Sequence, residues 1–87
     1  MAALRVYPNP TSGGQAYAEV TGFSSGEAVN ISLHDVLGRV VASVDAVADQ
    51  RGYAHIEVPG LGQLKQGMYI IRASAQSGKA QTKLLVQ

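Results

Sequence analysis

Eighty-seven residues with seven basic and six acidic side chains give a formal net charge of +1, and the basic residues are scattered along the chain. That distribution excludes the electrostatic footprint of a nucleic-acid or anionic-membrane binder. The absence of cysteine excludes a disulfide framework and a thiolate metal site.

A hydrophobic fraction of 46% against 15% charged residues suits one packed core rather than a disordered chain. A domain of this size hides only about 60–65% of its unfolded surface, so each core position counts. No run reaches the ~20 apolar residues of a transmembrane helix, so no direct membrane insertion is expected. Met1-Ala2-Ala3 lacks the apolar region of a signal peptide. The expectation is a single domain over 1–87, taken from a longer exported protein.

Leu4 to Tyr7 reads as a short strand with Leu4 and Val6 on one face. Pro8-Asn9-Pro10-Thr11-Ser12-Gly13-Gly14 then turns the chain. Two prolines remove two donors and force Tyr7 and Asn9 into extended geometry. Turn chemistry accounts for this composition without a ligand. Gln15 to Val20 alternates, with Ala16, Ala18 and Val20 on one side, and Phe23 in the following turn is placed to close one end of the core.

Ala28 to Asp45 is the most explicit element, a hairpin placed at the centre of the fold. Val29, Ile31 and Leu33 alternate with Asn30, Ser32 and His34. Val40 to Val44 is continuously apolar and β-branched, which favours strand. Between the arms, Asp35 heads a type I turn and Gly38 supplies the positive φ of a G1 bulge. A slip of one residue would expose Val29, Ile31 and Leu33, so register is fixed.

Ala46 to Gly52 reads as a loop. Tyr53 to Val58 alternates, with Ala54, Ile56 and Val58 inward. In the crossing connection Leu61 to Gly67, Leu61 and Leu64 are set to plug the core from the side. Three glycines between 60 and 67 argue against a helix. Met68 to Ala75 is a strand with Tyr69, Ile71 and Ala73 inward. Ser77-Gly78-Lys79 turns the chain, and Ala80 to Val86 returns with Thr82, Leu84 and Val86 inward. About seven short strands separated by regular turn signals predict an all-β, immunoglobulin-like antiparallel β-sandwich, without the cysteines and tryptophan of antibody domains.

Catalysis needs a nucleophile or carboxylate pair, a base and a group to orient it. His34 and His55 lie on polar strand faces, and two histidines fall short of the four ligands of a closed zinc site. Asp45 and Asp49 flank a loop able to hold at most a weak calcium ion, without the ligand pattern of an EF-hand. Ser24-Ser25 has no strand-to-helix elbow around it. The reading is no enzyme, no cofactor and no metal. Met68, Ile70 and Leu85 point outward and Val36 and Leu37 sit at a turn tip. A contiguous apolar group of these would mark a contact surface.

Four segments occur in order: Tyr7-Pro8-Asn9-Pro10-Thr11-Ser12-Gly13, Leu33-His34-Asp35-Val36-Leu37-Gly38-Arg39, Leu64 to Arg72 (LKQGMYIIR), and Thr82-Lys83-Leu84-Leu85-Val86-Gln87. Together they resemble the C-terminal sorting domain of type IX secretion cargo, in its type A form. By position, Pro8, Asn9, Pro10 and Gly13 match the first motif, and Asp35, Gly38 and Arg39 the second. Gly67, Tyr69 and Arg72 match the third, and Lys83, Leu84, Leu85, Val86 and Gln87 the terminal signal.

The resemblance implies an N-terminal cargo that crosses the inner membrane by its own signal peptide. It also implies recognition by an outer-membrane translocon in the periplasm, and removal of the domain by a sortase-like surface protease, leaving the cargo at the cell surface or outside. Most motif residues read as structural. Lys83 to Gln87 is expected to be the recognised element, on an edge strand with free backbone groups and outward Lys83 and Leu85. Two other readings compete. One is a carbohydrate- or matrix-binding module, for which Tyr17 and Tyr53 are the candidate platform; the other is a fibronectin-type spacer.

Overall fold

The computed structural model describes residues 1–12 and 14–87; Gly13, a position of the first motif, lies outside the described residues. Seven strands form two antiparallel sheets. β1 (Ala3–Tyr7), β2 (Tyr17–Thr21) and β5 (Ala54–Glu57) make a three-stranded sheet in the order β1-β2-β5. β3 (Ala28–His34), β4 (Val40–Val47), β6 (Gly67–Ala75) and β7 (Gly78–Val86) make a four-stranded sheet in the order β4-β3-β6-β7. This is the β-sandwich that the alternation predicts.

The inward rows are those read from the sequence. Ala18 and Val20 on β2, Val29, Ile31 and Leu33 on β3, Ile71 and Ala73 on β6 and Leu84 on β7 are all at most 1% exposed. Phe23 closes one end, and Leu61 enters from the side with Leu64 packed beside it. Burying a large aliphatic side chain contributes about 1.5–3 kcal/mol, so these rows carry the fold.

The β3–β4 hairpin is central, with β3 between β4 and β6. At its turn the amide of Gly38 donates to the carbonyl of Asp35 (3.0 Å) and that of Asp35 to the carbonyl of Arg39 (3.0 Å). Gly38 has φ +85°, the left-handed backbone a G1 bulge requires. Register also shifts between Leu33 and His34: Leu33 pairs with Ala42 and His34 with Val40, leaving Val41 as an extra residue.

Ends of β1, β2, β5 and β6 differ from expectation by one or two residues, and three further differences have a visible cause. β4 runs to Val47, three residues past the predicted arm, because Ala28 and Val29 on β3 are there to pair with Val47 and Ala46. Leu61–Gln63 forms one 3₁₀ turn despite the glycines, since Gly60 in left-handed geometry (φ 76°) starts it. The β6–β7 turn is Gln76-Ser77, with Gly78 already paired to Ala75.

The two poles of the sandwich are tied differently. At one, Glu27 links the start of β3 to the β6–β7 turn, accepting from the Ser77 hydroxyl and from the amides of Ser24 and Ser77 (both 3.0 Å). The Ser77 hydroxyl, then the Ser24 amide, hold its carboxyl below the ordinary 4.5. The unfolded chain therefore takes up this proton first, and stability is lost as pH falls from 4.5 through the lower folded value. Thermal melts at pH 6 and pH 3 should show this loss, and a Glu27→Gln variant should lose less across the same interval.

Candidate functional site

Register gathers the motif segments at the other pole. Tyr7 pairs with Tyr17, His34 with Ile70, Ile70 with Lys83, and Gly67 with Val86. The ends of β1, β3 and β7 and the starts of β4 and β6 therefore lie together, joined by the loop after Tyr7. Met1 lies at the opposite pole, its carbonyl against Gly22.

The first motif clasps the last. β7 is an edge strand, as expected, yet part of its outer edge is occupied. The Asn9 side-chain amide donates to the carbonyl of Lys83 (2.8 Å), and its carbonyl accepts from the amide of Leu85 (3.1 Å). The Thr11 amide donates to the carbonyl of Leu85 (2.9 Å), and the Gln87 amide to the carbonyl of Thr11 (2.8 Å). The free backbone expected along Lys83 to Gln87 is thus largely spoken for, and what it presents is side chains. Lys83 and Gln87 are exposed, Leu85 is half-buried opposite Met68, and Leu84 and Val86 are buried. Thr11 itself is buried and donates its hydroxyl to the carbonyl of Gln15 (2.6 Å). Pro8 and Pro10 each follow a cis peptide bond. Asn9→Ala should lower stability by about 1–2 kcal/mol, for two lost side-chain bonds, measurable by urea unfolding.

The second and third motifs face each other across a groove. Its walls are the Asp35–Arg39 turn with Val41 on one side and Gln63 to Tyr69 on the other, enclosing about 580 Å³. Asp35 accepts at Oδ1 from the amides of Leu37 and Arg39 (both 3.0 Å) and at Oδ2 from Arg39 Nε (2.7 Å). The Arg39 amide, assisted by its guanidinium, keeps this carboxyl below its ordinary value. Tyr69 is buried and its hydroxyl donates to the carbonyl of Lys65 (2.7 Å), folding the connection back over β6. Gly67 opens that strand at φ +153°. Arg72 lies further along β6, its Nε 3.3 Å from Gln81.

Val36 and Leu37 at the turn tip are 74% and 75% exposed, Val40 is 60% exposed, and Met68 adds to the same rim. Of the apolar residues singled out from the sequence, Val36, Leu37 and Met68 line this groove together with Val41, whereas Ile70 and Leu85 are half-buried and lie outside it.

Other candidates are absorbed locally. His34 Nε2 lies 2.8 Å from the Ser32 hydroxyl. His55 meets the Tyr7 hydroxyl and stacks on Tyr17 at 5.5 Å. Sequence reasoning missed this cluster because it depends on which strands are neighbours. Tyr53 donates its hydroxyl to Glu19 (3.1 Å) rather than forming a platform with Tyr17. Asp49 Oδ1 accepts from the amides of Arg51 (2.8 Å) and Tyr53 (3.0 Å), and Asp45 accepts from Asn30 (3.0 Å).

The fold is thus an antiparallel β-sandwich with its motif segments lying mostly toward one pole. The family model of the secretion system C-terminal sorting domain matches residues 5–87. The chain belongs to this family, the C-terminal sorting domains of type IX secretion. No curated protein matches it. Membership implies a secreted protein exported across the outer membrane, with the domain attached to a cargo and engaging the type IX system.

Proposed function

We propose that residues 1–87 form the C-terminal domain of a longer exported protein and direct an N-terminal cargo through the outer-membrane translocon. In this reading the domain waits folded in the periplasm. A sortase-like surface protease then removes it, and the cargo is left at the cell surface or in the medium. The domain itself performs no catalysis. The family match over residues 5–87 carries the reading, and the gathering of its motifs at the pole remote from Met1 supports it. Recognition uses the outward side chains of Lys83, Leu85 and Gln87, held in place by the buried Leu84 and Val86 and by the Asn9 clasp.

The test is a reporter with its own signal peptide fused ahead of Met1 and expressed in a type IX-competent bacterium. The expected result is reporter outside the cell, lighter by the 9.1 kDa of the domain. Folded reporter held in the periplasm at full mass would overturn the proposal.

A further inference from the structure

The geometry points to a second docking element, the groove between the Asp35–Arg39 turn and residues 63–69 together with the outer edge of β4. Its occupant is an extended strand of a partner protein, alternating apolar and polar, with a carboxylate at the groove end. The inference deepens the sorting reading, and rests on it only for the partner's identity as part of the export machinery.

Three observations carry it. First, β4 is an eight-residue edge strand. Among the described residues no backbone hydrogen bond outside its pairing with β3 reaches Val40–Val47. Of the usual guards of an exposed edge it carries no lysine and no proline, only the bulge at Val41 and the exposed Asp45. The contrast with β7, whose edge Asn9 and Thr11 occupy, is local and specific.

Second, the faces of β4 dictate the pattern of an added strand. Ala42, Val44 and Ala46 face the core and are only half-buried, because β4 and β5 barely meet on that side of the sandwich. A strand paired to β4 would place alternate side chains beside this row, where apolar groups lose water, and the others beside Ser43 and Asp45.

Third, the groove at the head of β4 has a defined charge. Asp35 is satisfied by Arg39 and two amides. Lys65 is exposed on the opposite wall with no carboxylate within ion-pair distance among the described residues. The unbalanced charge is therefore positive and set in an apolar rim of Val36, Leu37 and Met68. That combination selects an apolar segment with an acidic residue.

The first test uses the chain with the synthetic peptide Glu-Val-Thr-Val-Thr-Val as probe, titrated while backbone amide shifts are followed by NMR. Shifts confined to Val40–Val47 and residues 63–69 are expected, with affinity about fivefold weaker for the peptide bearing lysine in place of glutamate. They should vanish in Leu37→Glu and weaken in Lys65→Glu, while Lys65→Arg binds as the parent does. No shifts at millimolar peptide, or shifts along β7, would overturn the docking site.

The second test places Leu37→Glu and Lys65→Glu together in the secreted reporter. Loss of export with unchanged melting temperature is expected. If the parent reporter stays periplasmic although the peptide binds, the sorting reading fails and the docking site stands. If parent and variant are exported equally, the site has no role in export and the partner assignment fails. Sedimentation of the parent chain as a dimer that Leu37→Glu dissolves would make the occupant a second copy, which also overturns it.

Discussion

Deleting Lys83 to Gln87 is expected to unfold the domain rather than silence a tail. Leu84 and Val86 are 0% and 6% exposed, and β7 pairs with β6 through Gly67↔Val86 and Tyr69↔Leu84. Removing the two side chains alone costs about 4–8 kcal/mol. A domain of this length has roughly 4–13 kcal/mol in all. The deletion also strips the Asn9 and Thr11 clasp of its partners. Circular dichroism of the shortened chain should show loss of cooperative melting at 25 °C or just above. A sharp transition near that of the full chain would mean that β7 adds little to the core. Export lost on this deletion therefore reports folding and recognition together, and separating them requires substitutions of outward side chains.

Gly52→Ala is expected to be strongly destabilising. A Cβ at Gly52 would lie 2.0 Å from the carbonyl oxygen of Phe23, on a backbone at φ +76°. The Phe23 amide donates to the carbonyl of Gly52 (3.3 Å), and the Gly52 amide to that of Asp49 (3.0 Å), so the loop cannot move aside without losing both. Left-handed strain and overpacking together amount to about 2–5 kcal/mol. Gly38→Ala is the matched control, at φ +85° with nothing within 4 Å of the added carbon, and should lose only about 1–2 kcal/mol. Chemical denaturation of the pair measures the difference. Equal losses would show that the contact with Phe23 relaxes freely.

The strands were legible because they alternate. Val29, Ile31 and Leu33, or Tyr69, Ile71 and Ala73, declare a buried face whatever lies opposite. The Asp35–Arg39 turn was legible because its chemistry is local, with one carboxylate and one glycine setting the geometry. The sheet order was not, because nothing in residues 54–57 announces that β5 pairs with β2 rather than with β4. The function of Asn9 was hidden for the same reason. A side chain that bonds the backbone of Lys83 and Leu85 across more than seventy residues leaves no trace in local composition. The terminal strand was correctly placed at an edge, but its backbone was expected to be free, and the first motif takes that place. The groove was half visible, since alternation turns Met68 outward and Val36 and Leu37 sit at a turn tip. Their meeting depends on β3 and β6 being neighbours.

Fold and recognition must be separated on the same molecule, so the most direct measurement is export of the reporter carrying residues 1–87 beside a twin with Lys83→Ala, Leu85→Ala and Gln87→Ala. The twin keeps Leu84 and Val86, and with them the core. Reporter outside the cell for the parent, with the twin folded and periplasmic, is the predicted result. Both reporters held folded in the periplasm would contradict the account.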